Sequence, residues 1–112
     1  MPTVSAAAPP SPPPSRGLPA MHPGELLRED VLPALGRSVS EIARLLRISR
    51  QTLHAILREE APVTPAMALK LGKLCGNGPR LWINLQTAYD LERQARILAS
   101  ELEQIPTLDS AA

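Results

Sequence analysis

Val39-Ser40-Glu41-Ile42-Ala43-Arg44-Leu45-Leu46-Arg47-Ile48-Ser49-Arg50-Gln51-Thr52-Leu53-His54-Ala55-Ile56-Leu57-Arg58 decides the fold. Ile42, Leu45 and Leu46 follow the i, i+3, i+4 spacing of one helical face, and Leu53, Ile56 and Leu57 form a second such stripe. Arg47-Ile48 interrupts them, with Ile48 as an apolar plug in the turn. Ser40 is read as the N-cap of the first helix and Ser49 as that of the second, because a serine hydroxyl accepts from a backbone N–H two or three residues on. Ala43 is small enough for the second helix to cross closely. At about 100° per residue, the buried stripe of the second helix leaves Gln51, His54, Ala55 and Arg58 facing outward. Arg50 lies at the boundary but in the first turn, where a helix end can point into a groove, and Thr52 lies on the other flank.

Charge gives this pair of helices a direction. The chain has 112 residues and a formal net charge of only +1. Between Arg37 and Arg58 stand five arginines against Glu41 alone, a local +4 that leaves about −3 for the remainder. Such focusing suits a DNA duplex, where each neutralised phosphate releases counterions. The competing reading is an ordinary α-hairpin in a small bundle. The charge placement favours a helix-turn-helix whose second helix enters the major groove. Arg47 is the unusual residue, because this turn position often needs positive φ, which a non-glycine residue adopts at some conformational cost. A slightly altered turn is the alternative.

Outward from this centre the chain reads as one small all-α domain, expected to span 21–103, with a tail at each end. Residues 1–20, rich in Pro, Ala and Ser, have no apolar period and are expected to be disordered with polyproline II character. A ligand for an SH3-like domain and a true translation start at Met21 are the other readings of that tract. Pro23 opens a helix whose Leu26, Leu27 and Val31 point inward. Pro33 is expected to stop it, with Leu35 tucked into the core. Glu59 to Val63 is a loop. Thr64-Pro65 starts a fourth helix with Met67, Leu71, Leu74 and Cys75 on one face, ended by Gly76-Asn77-Gly78. Pro79 opens a fifth that runs to about residue 103, and 104–112 is read as a flexible tail. That makes five helices and no strand signal.

Composition narrows the chemistry. One cysteine, Cys75, allows no intrachain disulfide and fits a reduced cytoplasm. No apolar run is long enough to span a bilayer. Trp82 and Tyr89 are the only aromatic residues of the Phe, Trp and Tyr set, so the core must be aliphatic and binding of single strands by base stacking is disfavoured. His22 and His54 lack a carboxylate at matched spacing. There is no Cys/His cluster for zinc and no glycine-rich phosphate loop. An enzyme is not expected, nor a metal, a cofactor, a small-molecule substrate or a membrane partner. Trp82 and Tyr89, at i and i+7, are read as core or dimer packing.

Four stretches carry a family resemblance: His22-Pro23-Gly24-Glu25-Leu26-Leu27, Ser49-Arg50-Gln51-Thr52-Leu53, Thr64-Pro65-Ala66-Met67-Ala68-Leu69-Lys70-Leu71, and Leu81-Trp82-Ile83-Asn84-Leu85-Gln86-Thr87-Ala88-Tyr89-Asp90-Leu91. From Met21 to about Ile97 the chain resembles HigA-type antitoxins of toxin–antitoxin systems, within the Xre or lambda-repressor-like helix-turn-helix group. The last stretch discriminates more than the helix-turn-helix, which many repressors share. The resemblance implies a five-helix lambda-repressor-like fold and a homodimer that represses its own operon on a palindromic operator in double-stranded DNA. It also implies neutralisation of a HigB-type, RelE-like ribonuclease toxin. A stand-alone repressor of the same fold, without a toxin, is the alternative. Position by position, the DNA-binding set is Ser40, Arg47, Ser49, Arg50, Gln51, Thr52, His54 and Arg58. Arg50, Gln51 and His54 form the reading edge. The dimerisation set is Leu81, Trp82, Leu85, Ala88 and Tyr89.

Overall fold

The computed structural model describes residues 19–108. The expected N-terminal tail therefore lies outside the described residues up to position 18, as does the C-terminal tail from 109 onward. The described residues form six helices and no strand: α1 (residues 23–35), α2 (Val39–Leu46), α3 (Arg50–Leu57), α4 (Pro65–Cys75), α5 (Arg80–Ile97) and α6 (Ala99–Glu103). The expected fifth helix is thus divided at Leu98. The Leu98 N–H still bonds the Gln94 carbonyl at 2.8 Å, and the Leu102 N–H bonds the Leu98 carbonyl at 2.8 Å.

Pro33 does not stop α1. The chain stays helical through Leu35 because Leu27–Val31 widens into a π-helical turn, in which the Leu32 N–H reaches back to the Leu27 carbonyl. This register opens the turn just before the proline ring, where an ordinary α-helix would set ring against carbonyl. Gly36, left-handed at φ 67°, then ends the helix. Leu35 rides on the last turn, past the core, and is exposed rather than tucked in.

The core is aliphatic, as expected, around one large ring. Leu27 of α1, Ile42, Ala43 and Leu46 of α2, Leu53, Ile56 and Leu57 of α3, Met67, Ala68 and Leu71 of α4 and Trp82 of α5 are all buried. Leu45 departs from the expected inward set and is half exposed. Two glycines allow the helices to approach. A Cβ on Gly24 would lie 1.9 Å from the Ile56 carbonyl oxygen, so α1 crosses the end of α3 backbone against backbone. A Cβ on Gly72 would lie 2.2 Å from the Gly78 carbonyl carbon, which fixes the α4–α5 corner.

His22 and Gln86 complete the scaffold with buried polar side chains. His22 is the N-cap of α1: its Nδ1 accepts from the Gly24 N–H at 2.9 Å, and its ring meets Tyr89 edge-on at 4.8 Å. Burial pushes the His22 pKa below the ordinary histidine value, against the opposing pull of Glu59 and Asp90. Gln86 Oε1 accepts from the Val63 N–H at 2.7 Å and its Nε2 donates to Asp90 at 2.9 Å, tying the loop after α3 to α5.

Candidate nucleic-acid interface

Helix α2 is capped two residues earlier than expected. Ser38, not Ser40, is the N-cap, and its Oγ accepts from the Glu41 N–H at 3.1 Å. The sequence carried the signal: Ser38 has a glutamate three residues on, the capping-box pattern, whereas Ser40 has Ala43 there. Glu41 turns its carboxylate to Arg37 in an ion pair. Ser40 is left exposed in the first turn, where its Oγ lies 3.4 Å from Arg50 Nη1 across the α2–α3 junction.

The turn is closed by backbone bonds alone. Arg47 is left-handed at φ 63°. Its N–H bonds the Arg44 carbonyl at 3.0 Å and the Ile48 N–H bonds the Ala43 carbonyl at 3.0 Å, the paired bonds of a Schellman motif. The positive φ expected at this position is therefore present, carried by arginine instead of glycine. The Arg47 side chain is exposed, while its carbonyl lies 3.4 Å from Lys70 Nζ of α4. Ile48 packs against the core as the expected plug.

Helix α3 starts at the cap predicted for it. Ser49 Oγ accepts from the Thr52 N–H at 3.0 Å and donates to Thr52 Oγ1 at 2.9 Å, leaving the Thr52 hydroxyl proton free to turn outward. Arg50, Gln51, Thr52 and His54 are all exposed, and Leu53, Ile56 and Leu57 beneath them are buried. The far end of α3 is held by the scaffold. Glu59, left-handed at φ 64°, closes a second Schellman motif, and Arg28 Nη1 of α1 donates to the Leu57 carbonyl at 2.6 Å.

The eight expected DNA-binding residues fall into two groups. Ser40, Arg47, Ser49, Arg50, Gln51, Thr52 and His54 surround the first half of α3. Arg58 caps the opposite end, about 12 Å further along the axis at 1.5 Å per residue, with its Nε 3.2 Å from Glu60. The expected dimerisation set also divides. Trp82 is wholly buried and donates its Nε1–H to Asn77 at 3.2 Å, and Tyr89 lies against His22 with the Arg93 guanidinium 5.8 Å over its ring. Trp82 is therefore packed in the interior of the protomer. Leu81 and Ala88 are exposed on α5 and Leu85 is half-buried. Cys75 is partly buried, and that burial raises its thiol pKa, the opposite of what a nucleophile requires.

An exposed polar edge on the first half of a helix, braced by a second helix across a tight turn, defines a helix-turn-helix domain. Residues 27–83 match the helix-turn-helix family, and the chain belongs to it. Among solved structures the chain is similar to antitoxins. The antitoxin GraA in complex with its operator is 35% identical, covers 86% of this chain and 98% of its own, and superposes with a TM-score of 0.77. The Pseudomonas aeruginosa antitoxin HigA with the higBA promoter is 32% identical, with 80% and 99% covered and a TM-score of 0.75. Virulence-associated protein I of Dichelobacter nodosus is 41% identical over 75 residues, 67% of this chain and 69% of its own. Among the described residues no helix is long and apolar enough to cross a membrane.

Proposed function

We propose that this chain is an operator-binding antitoxin of the HigA type. It binds palindromic operator DNA as a homodimer, represses its own operon and neutralises a HigB-type, RelE-like ribonuclease toxin. The observation that carries the reading is the first half of α3, where Arg50, Gln51 and His54 stand exposed on a helix whose apolar face and far end are both fixed. An edge of this kind reads bases without having to order its backbone. Arg50 donates to guanine O6 and N7, and Gln51 pairs with adenine N6 and N7. Ser40, Ser49, Thr52 and Arg47 ring that edge with hydroxyls and a guanidinium, the groups that fix register on phosphates. GraA and HigA, in complexes with operator and promoter DNA, share the fold at more than 30% identity, which supports carrying the site over.

The test is a fluorescence-anisotropy titration of the upstream region at fixed salt. Arg50→Ala or Gln51→Ala should each cost about 1–3 kcal/mol and relax preference at one base pair per half-site, with half-site centres about 34–36 Å apart. Unchanged affinity in both variants refutes the assignment. For the toxin, an adjacent reading frame that is lethal alone and harmless with this chain is the expected result. The absence of such a gene would leave a repressor without a toxin.

A further inference from the structure

One face of the domain is apolar, cationic and uncovered. Leu69 of α4 is 62% exposed and Leu45 of α2 is 48% exposed. With Leu46 and Leu74 they line a groove of about 340 Å³, and its polar rim is Arg47, Lys70 and Lys73. Leu69 also borders a second depression with Pro65, Pro79, Ile83 and Arg80. No carboxylate lines either one, and among the described residues none of these four cations is in an ion pair. A face of this composition fits a segment with apolar anchors and acidic flanks.

The chain carries such a segment at its other extreme. From Leu98 to Leu108 the sequence is Leu-Ala-Ser-Glu-Leu-Glu-Gln-Ile-Pro-Thr-Leu, with two glutamates and no basic residue. Leu102, Ile105 and Leu108 are 47%, 58% and 80% exposed, and Glu101 and Glu103 have no ion-pair partner among the described residues. Helix α6 packs on the end of α5, and no residue of 98–108 lines the groove of its own protomer.

We infer that the 98–108 arm of one protomer seats in the α2–α4 groove of a second copy, and that the second copy's arm does the same in return. The contact rests on the dimer reading above and gives it a surface. Leu102 and Ile105 fill the floor around Leu69 and Leu45, while Glu101 and Glu103 meet Lys70, Lys73 and Arg80. Reciprocal exchange closes the pair about a two-fold axis, as an isologous interface requires, and leaves no free groove for further chains. It also places the partner's arm beside Arg47, so assembly and the phosphate-facing turn share one edge.

The test is sedimentation equilibrium on the full chain, with thermal melts confirming that each surface variant is folded. Lys70→Glu with Lys73→Glu reverses the sign of the groove's rim, and Glu101→Lys with Glu103→Lys reverses the arm. Each pair should raise the dimer Kd by at least about tenfold, since four exposed charge contacts turn repulsive. An equimolar mixture of the two double variants should regain wild-type association, because each arm then meets a groove of opposite sign. Unchanged dimerisation in both double variants overturns the inference while leaving the dimer reading intact. A wild-type chain that stays monomeric at every concentration overturns both. Loss of DNA affinity from the groove variant with dimerisation untouched assigns the cations to DNA and equally overturns it.

Discussion

Arg47→Gly is expected to make the protein more stable and a weaker DNA binder. At φ 63° Arg47 pays the left-handed penalty of a residue with a Cβ, about 1–2 kcal/mol. Glycine removes it but gives the unfolded chain more freedom, which costs about 0.5–1 kcal/mol. Both closing bonds, at 3.0 Å, are made by backbone atoms and survive the change. The net gain spans about 0–1.5 kcal/mol and centres at about 0.75 kcal/mol. In a domain of this size it raises Tm by roughly 2–8 °C, which a circular-dichroism melt resolves. The same change deletes a guanidinium at the edge of α3. If that group neutralises a phosphate, the slope of log affinity against log salt falls by about 0.9 per protomer. Arg47→Ala separates the effects, because it keeps the strained backbone and loses the charge. It should show the weaker salt slope without the gain in Tm. A Tm for Arg47→Gly at or below wild type refutes the strain argument, and an unchanged salt slope in both variants refutes the phosphate contact.

Gly24→Ala drives a methyl into the Ile56 carbonyl. It should cost about 3 kcal/mol or more, seen as a lowered midpoint in urea. Trp82→Ala removes the largest buried side chain and should cost about 3–5 kcal/mol, enough to leave the chain largely unfolded at 37 °C. Trp82→Phe, which forfeits mainly the Asn77 bond, should cost much less. His22 must be neutral at Nδ1 to accept from Gly24, and its folded pKa lies below the unfolded value of about 6.5. The stability it contributes is therefore present above that unfolded value and is lost as pH falls through the folded pKa. Melts of His22→Asn, which caps without titrating, should flatten the fall in Tm below neutral pH, and a slope equal to wild type would contradict it.

The helix-turn-helix was legible because its signals are local. Two 3.6-residue stripes, Ser49 as a cap and the +4 focus all lie within twenty-two consecutive residues. The misreadings have longer reach. Pro33 fails to break α1 because the preceding turn rewinds, an adjustment that apolar spacing does not encode. Leu45 falls on the right face of α2 by periodicity, but only the position of α4 shows that it borders a groove instead of filling the core. His22 and Gln86 owe their burial to Tyr89 and Val63, 67 and 23 residues away. Nothing beside them in the sequence announces that. The i, i+7 spacing of Trp82 and Tyr89 is compatible with core or dimer packing, and period alone cannot separate the protomer's interior, where Trp82 lies, from a surface for a second chain.

The way α3 is held has a consequence for how such proteins diverge. Its support comes from Leu53, Ile56 and Leu57, from the Arg28 bond to the Leu57 carbonyl and from the close pass of Gly24. Arg50, Gln51 and His54 contribute almost nothing to that framework, since they point into solvent. Mutations at these three positions are therefore nearly free of folding cost, and surface changes of this kind lie within about 0.5 kcal/mol. A duplicated copy of the gene can acquire a new target sequence through a few substitutions while its scaffold drifts independently. If Arg50, Gln51 and His54 read bases as proposed, sequence preference and foldability are inherited through separate sets of residues, and related helix-turn-helix proteins in one genome can be insulated from one another by changes at the tip of a single helix.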